Sequence, residues 1–180
     1  QVVIVGAGRA DLVEQTRALE KKFPSKFFYA GWMGPERYAL LAGCDHTLLP
    51  SRWEPCGLVQ MEAMRVGTLP IVAPTGGLKD TVEDGINGIW MDSEMTVEAE
   101  LDEESSASIA RALRRAAEIH VSAPAKEEQM KRAAMAAAAE YTWSNAALQY
   151  EAVFEELGVP DLLASCTDKT VTLEVDKQVC

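Results

Sequence analysis

Positive charge is scarce in this chain of 180 residues: 17 lysines and arginines stand against 28 aspartates and glutamates, a formal net charge of −11. Binding a phosphate backbone draws on surplus Lys and Arg, so this balance argues against nucleic acid as the main partner. A few local cations are still enough to hold one diphosphate. Long apolar runs are missing too. The runs Val2–Val5 and Leu69–Ala73 have strand length, far below the ~20 residues of a membrane-crossing helix, and no membrane partner is expected. Histidine is limited to His46 and His120, and Cys44, Cys56, Cys166 and Cys180 form no C-x-x-C pair and no metal-like spacing with either histidine. This pattern gives no expectation of a metal, and no cofactor is expected either. Four reduced thiols are the simple reading, with a Cys166–Cys180 disulfide closing the tail as the alternative. The chain opens directly on a strand, which reads as a truncation, so its lack of a targeting segment carries little weight.

What is present is ordinary for a globular chain: 48% hydrophobic and 25% charged residues. Val2–Val5 read as a β-branched strand, Gly6-Ala7-Gly8 as a tight turn, and Asp11–Lys22 as a helix. The alternation continues through strands at Phe27–Ala30, His46–Leu49, Leu69–Ala73 and near Gly88–Met91. Helices are expected at Pro35–Ala42, Gly57–Val66 and Gly77–Thr81. This pattern predicts an α/β domain, a Rossmann-like parallel sheet with helices on both faces. Residues 92–105 are acidic and read as a solvated connector. Helices return at Ser106–Ile119 and Pro124–Ala139, and a last amphipathic helix carries Trp143, Ala147, Tyr150, Val153, Phe154 and Leu157. The domain is expected to span residues 1–160, followed by a tail at 161–180 that is flexible or, through the alternation at Thr170–Val175, supplies an edge strand.

Polar chemistry concentrates where strands end and helices begin. Ser51-Arg52-Trp53-Glu54-Pro55-Cys56-Gly57 follows one strand, and Thr75-Gly76-Gly77 follows the next. A helix opening at Gly57 would aim free backbone N–H groups, those of Leu58 and Val59 among them, at a diphosphate beside Glu54, with the Leu58 and Val59 side chains serving the core. Cys56 suits packing beside a sugar rather than attack on it, because no histidine is placed to activate it. Thr75-Gly76-Gly77 fits an N–H-rich turn that could approach a ligand, or a plain strand-to-helix turn. Glu54 has the competing role of capping Gly57, and Glu62 that of a solvated helix face. Gly6-Ala7-Gly8 lacks the third glycine of a dinucleotide fingerprint and is treated as a turn.

The string Ser-Arg-Trp-Glu-Pro-Cys-Gly-Leu at 51–58, the string Thr-Gly-Gly-Leu-Lys-Asp-Thr-Val at 75–82 and their spacing resemble the starch and bacterial glycogen synthases. These are retaining glucosyltransferases of family five with a GT-B fold. The segment ending at Pro160 is similar to the C-terminal helix of the granule-bound branch, and the resemblance covers residues 1–160 but not the tail. It implies a C-terminal, nucleotide-sugar-binding half that takes ADP-glucose and extends the non-reducing end of an α-1,4-glucan with retention. It also implies plastid localisation and starch-granule association. Glu54 and Glu62, eight apart, match the family's paired glutamates. The first would contact sugar hydroxyls and support charge at the anomeric carbon; the second would hold the ribose. Thr75, Gly76 and Gly77 would approach the glucosyl group, and Trp32 would stack on the base unless it is a core-edge residue. The family's other Rossmann-like domain, its Lys-x-Gly-Gly-Leu loop and two upstream phosphate-binding cations have no counterpart in this sequence, so the fragment alone is expected to be inactive. Two alternatives remain: a retaining GT-B transferase using UDP-glucose, and a non-catalytic fragment that binds starch or a partner.

Overall fold

Strands and short helices alternate through the first half of the computed structural model, which describes residues 1–93 and 103–158. The order is β1 (Val2–Val5), α1 (Ala10–Lys22), β2 (Phe27–Gly31), α2 (Arg37–Ala42), β3 (His46–Leu49), α3 (Leu58–Arg65), β4 (Leu69–Val72), α4 (Gly77–Thr81) and β5 (Ile89–Trp90). Three longer helices follow: α5 (Glu103–Ser122), α6 (Pro124–Glu140) and α7 (Trp143–Glu156). Local chemistry sets the boundaries. Pro50 cannot donate to a ladder and closes β3, Gly67 turns the chain at positive φ into β4, and Pro124 opens α6 where its missing N–H costs nothing.

All strand pairs are parallel, as the alternation predicts, but the sheet is divided. β1 pairs with β2, and separately β3, β4 and β5 pair in that order. Among the described residues no ladder joins β1 to β3. The core explains which half is stronger: every residue of β4 is buried, and its Leu69, Ile71 and Val72 pack with Met64 of α3, Leu78 of α4, Ile89 of β5 and the small inner faces of α5 and α6. Alanines at 112, 116, 134 and 138 are what those two helices contribute to this core on their inner faces, with Ile119 and Met130. β1 is exposed at all four positions, a burial far below that of a strand covered on both faces.

The acidic stretch is not wholly solvated. Asp92 and Glu104 both pair with Arg111, Asp92 accepts from Ser108 Oγ, and Asp84 pairs with Arg115, which ties α5 to the segments flanking β5. The rest of that connector, residues 94–102, lies outside the described residues.

Contacts divide the chain into Gln1–Ala139 and Glu140–Cys180. In the second unit, Thr142 caps α7 by accepting from the Asn145 N–H at 3.1 Å, and Tyr150 and Phe154 stack one turn apart. The helix is amphipathic as expected, and its apolar residues are exposed within that unit. The expected tail at 161–180, with Thr170–Val175, lies outside the described residues. Among the described residues no helix is long and apolar enough to cross a membrane.

Candidate nucleotide-sugar site

β3 and β4 run in parallel register, His46 opposite Leu69 and Leu49 opposite Val72, so the loops that follow them leave the sheet at the same carboxyl edge. In open α/β sheets that edge is where ligands bind. The two loops are joined backbone to backbone: the Gly77 N–H donates to the Glu54 carbonyl at 2.9 Å. Both glycines are required by this approach. Gly76 has φ +45, and a Cβ there would overlap the Glu54 carbonyl oxygen; a Cβ on Gly77 would overlap the Cys56 backbone.

Glu54 bends back over its own loop, and its Oε1 accepts from the Gly57 N–H at 2.9 Å, one of the free donors at the start of α3. Capping is therefore its role in this state. Among the described residues Oε2 takes no hydrogen bond, so one oxygen stays open for a ligand. Leu58 and Val59 occupy the first turn of α3, where their N–H groups are free for phosphate, but their side chains do not serve the core: they are 67% and 44% exposed. The inward face of α3 is instead Gln60, Ala63 and Met64, three and four residues apart. Cys56 is exposed and free, and Thr75 is half-buried.

Two groups escape sequence reading. Gln60 is fully buried, and its Nε2 donates to the Cys56 carbonyl at 3.2 Å and to Thr81 Oγ1 at 2.9 Å. Thr81 Oγ1 in turn donates to the Gly77 carbonyl, so this amide links both loops to α4. Its signal was a polar residue inside an apolar stripe. The second group is Arg37 with Tyr38, whose side chains bind Glu62. Arg37 donates to Glu62 Oε1 at 2.8 Å and to Oε2 at 3.2 Å, and the Tyr38 hydroxyl donates to Oε1 at 3.0 Å. The Arg37 guanidinium, and then Tyr38, hold the Glu62 carboxyl below the usual carboxylate range despite partial burial. Glu62 is thus a clamped anion rather than a solvated one. No local pattern connects residues 25 apart in sequence.

Trp32 stands in the loop after β2 with 80% of its surface exposed, a free aromatic face and not a core-edge residue. Gly6-Ala7-Gly8 forms the link from β1 to α1 and is held against β2: the Gly6 N–H donates to the Gly31 carbonyl, and the Gly6 carbonyl accepts from the Tyr29 hydroxyl. At the other end of β3, Asp45, His120 and Glu127 gather with potential ligand atoms within 4.8 Å, a grouping that the sequence did not announce. Glu127 is 4% exposed and already contacts Lys131 Nζ at 3.0 Å and His120 Nδ1 at 2.9 Å. Burial pushes its carboxyl up, and these two partners more than offset the push. His120 is therefore paired rather than simply solvated. The Lys131 ammonium pairs with this buried carboxylate.

The family model for glycosyl transferases group 1 matches residues 1–134. The chain belongs to this family. The chain is 39% identical to the soluble starch synthase 1 of Solanum tuberosum over 86% of its own length and 24% of that protein's. It is 38% identical to the granule-bound starch synthase 1 of Arabidopsis thaliana, covering 88% of this chain and 26% of that one, and 37% identical to a glycogen synthase of Pseudomonas fluorescens. It spans about a quarter of the length of these curated relatives. Among solved structures, the catalytic domain of Arabidopsis thaliana starch synthase IV bound to ADP and acarbose is similar, with a TM-score of 0.67 and 27% identity over 87% of this chain and 32% of that one. The sucrose-phosphate synthase of Thermosynechococcus elongatus shares the fold, with a TM-score of 0.65 at 22% identity over 89% of this chain and 39% of that one. The mixed α/β fold, with parallel strands and helices on both sides, is thus of the GT-B class.

Proposed function

We propose that this chain is the donor-binding half of a starch synthase of the granule-bound type, which transfers glucose from ADP-glucose to the non-reducing end of an α-1,4-glucan with retention of configuration. The observation that carries the reading is the locked pair of loops at the carboxyl edge of β3 and β4. They bring Glu54, the free N–H groups of α3 and the Thr75-Gly76-Gly77 turn to one place. The similarity to starch synthases at 37–39% identity supports the choice within the family.

In this reading the first turn of α3 receives the diphosphate, whose charge suits the positive end of the helix. Gly76 and Gly77 allow the glucosyl group to approach the backbone. The open Oε2 of Glu54 accepts from sugar hydroxyls and faces the positive charge that develops at the anomeric carbon, a term that grows in the transition state. Glu62 holds the ribose, and Trp32 supplies a stacking face for adenine. The transfer calls on no metal or cofactor. A second Rossmann-like domain carries the acceptor surface and further cations for the phosphates, so the isolated half binds donor weakly and turns nothing over. The glucan is amylose or amylopectin of the starch granule, and the setting is the plastid.

Competition between ADP-glucose and UDP-glucose for the chain, followed by NMR, tests the donor. Tighter binding of ADP-glucose is expected. Displacement of ADP-glucose by an equal concentration of UDP-glucose would move the assignment to another retaining transferase of the same fold.

A further inference from the structure

Arg37 is the first residue of α2, Glu62 lies in the middle of α3, and the two meet side on, with two N–H groups on two carboxylate oxygens. Tyr38 closes the arrangement. Its hydroxyl accepts from the Arg37 Nη2 at 2.8 Å and donates to Glu62 Oε1, while the guanidinium lies 4.4 Å from the centroid of its ring. Counting lone pairs gives an asymmetric result: Oε1 receives two donors and is full, whereas Oε2 receives one and keeps one acceptor position. The Glu62 side chain is 21% exposed, so the carboxylate group is not sealed from solvent.

We propose that Arg37, assisted by Tyr38, is a positioning residue that fixes the Glu62 carboxylate to receive a ribose hydroxyl of a nucleoside diphosphate at Oε2. The inference rests on the reading of Glu62 as the ribose acceptor. A free glutamate on a helix samples several rotamers and loses that freedom when it binds a diol. One held by a planar fork is already ordered and keeps its charge, so ligand binding does not repeat that cost. A tie between α2 and α3 alone would give the same contacts. The two roles differ in what they do to a ligand without ribose hydroxyls.

The test is an NMR titration of the 180-residue chain with ADP and with 2′,3′-dideoxy-ADP, which keeps base and phosphates and lacks the diol. In the unmodified chain ADP should bind about tenfold more tightly, the usual size of a hydrogen bond to a charged acceptor. Arg37→Ala should shrink that gap to about twofold through loss of ADP affinity alone, leaving dideoxy-ADP unchanged. Arg37→Lys keeps the charge without the fork and should recover only part of the gap, and Tyr38→Phe should lose part of it. Melting curves on each variant record whether the fold survives. Equal loss for both ligands in a folded Arg37→Ala protein would place Arg37 on the phosphates or in the framework and overturn the proposal. An undiminished gap would overturn it as well. The Glu62 reading is tested separately by Glu62→Gln: if the unmodified chain shows no gap, or Glu62→Gln preserves it, the ribose assignment fails and the positioning role with it.

Discussion

The backbone N–H of Gly77 and the carbonyl of Glu54 hydrogen-bond at 2.9 Å, so the two loops that follow β3 and β4 act as one unit. The arrangement leaves no room for a side chain at position 76 or 77, and position 76 also needs a positive φ. Gly76→Ala should cost about 1–3 kcal/mol, the usual range for such strain. For a chain of this size each kcal/mol lowers Tm by about 2–4 °C. Gly8→Ala is the control, since a Cβ there meets nothing within 4 Å. Thermal melts of the two variants side by side should show a drop for position 76 and almost none for position 8. Equal melts would mean that the loops are not held by this contact.

Glu54 is half-buried, with one oxygen on Gly57 and the other open. In a transferase that contains this chain, Glu54→Gln should cut turnover by about a hundredfold or more, because it removes an anion beside developing positive charge, a loss of ~3 kcal/mol or more. Donor affinity should change little, as the amide still accepts hydrogen bonds. Steady-state kinetics with ADP-glucose read both quantities, and near-normal turnover would remove Glu54 from the chemistry.

Trp32 offers an exposed indole and has no core to lose. Trp32→Ala should weaken ADP by ~1–2 kcal/mol if the ring stacks on adenine, in line with base stacking on aromatics elsewhere. Calorimetry with ADP and with a base-free sugar phosphate separates the cases. A similar loss for both ligands would show that Trp32 shapes the loop and does not read the base.

Asp92 provides a pH signature on the segment that follows β5. Arg111, with Ser108 as second donor, holds its carboxyl down to about 2 from an ordinary 3.8. A depressed folded-state value contributes stability that is complete above the unfolded value and fades as pH falls from about 4 towards 2. Arg111→Ala should return the Asp92 titration, followed by carboxyl NMR, towards 3.8 and flatten the loss of stability in that window. A titration unmoved by the substitution would show that Arg111 does not set it.

The alternation of strands and helices was legible because periodicity and punctuation by proline and glycine are local. The division of the sheet was not, since the apolar run Val2–Val5 looks the same whether its strand ends up covered or exposed. Leu58 and Val59 misled for a related reason: an apolar side chain states a preference, and the helix phase set by Gln60, Ala63 and Met64 decides which face turns inward. Of the site, the residues within each loop could be read, together with the glycines that let the loops touch. Arg37 with Glu62, Asp92 with Arg111 and His120 beside Asp45 are pairings across the fold, and charge patterning along the chain carries no trace of them.

The central claim is that a nucleotide sugar sits on the joined loops, and its most direct measurement is a map of backbone amide shifts in the 180-residue chain as ADP-glucose is added. The account predicts that the saturable shifts concentrate at Gly57, Leu58, Val59 and Thr75–Gly77, with smaller ones at Trp32 and around Glu62. Saturable shifts centred elsewhere, such as the Asp45, His120 and Glu127 group at the opposite end of β3, or no saturable shift at millimolar donor, would contradict it.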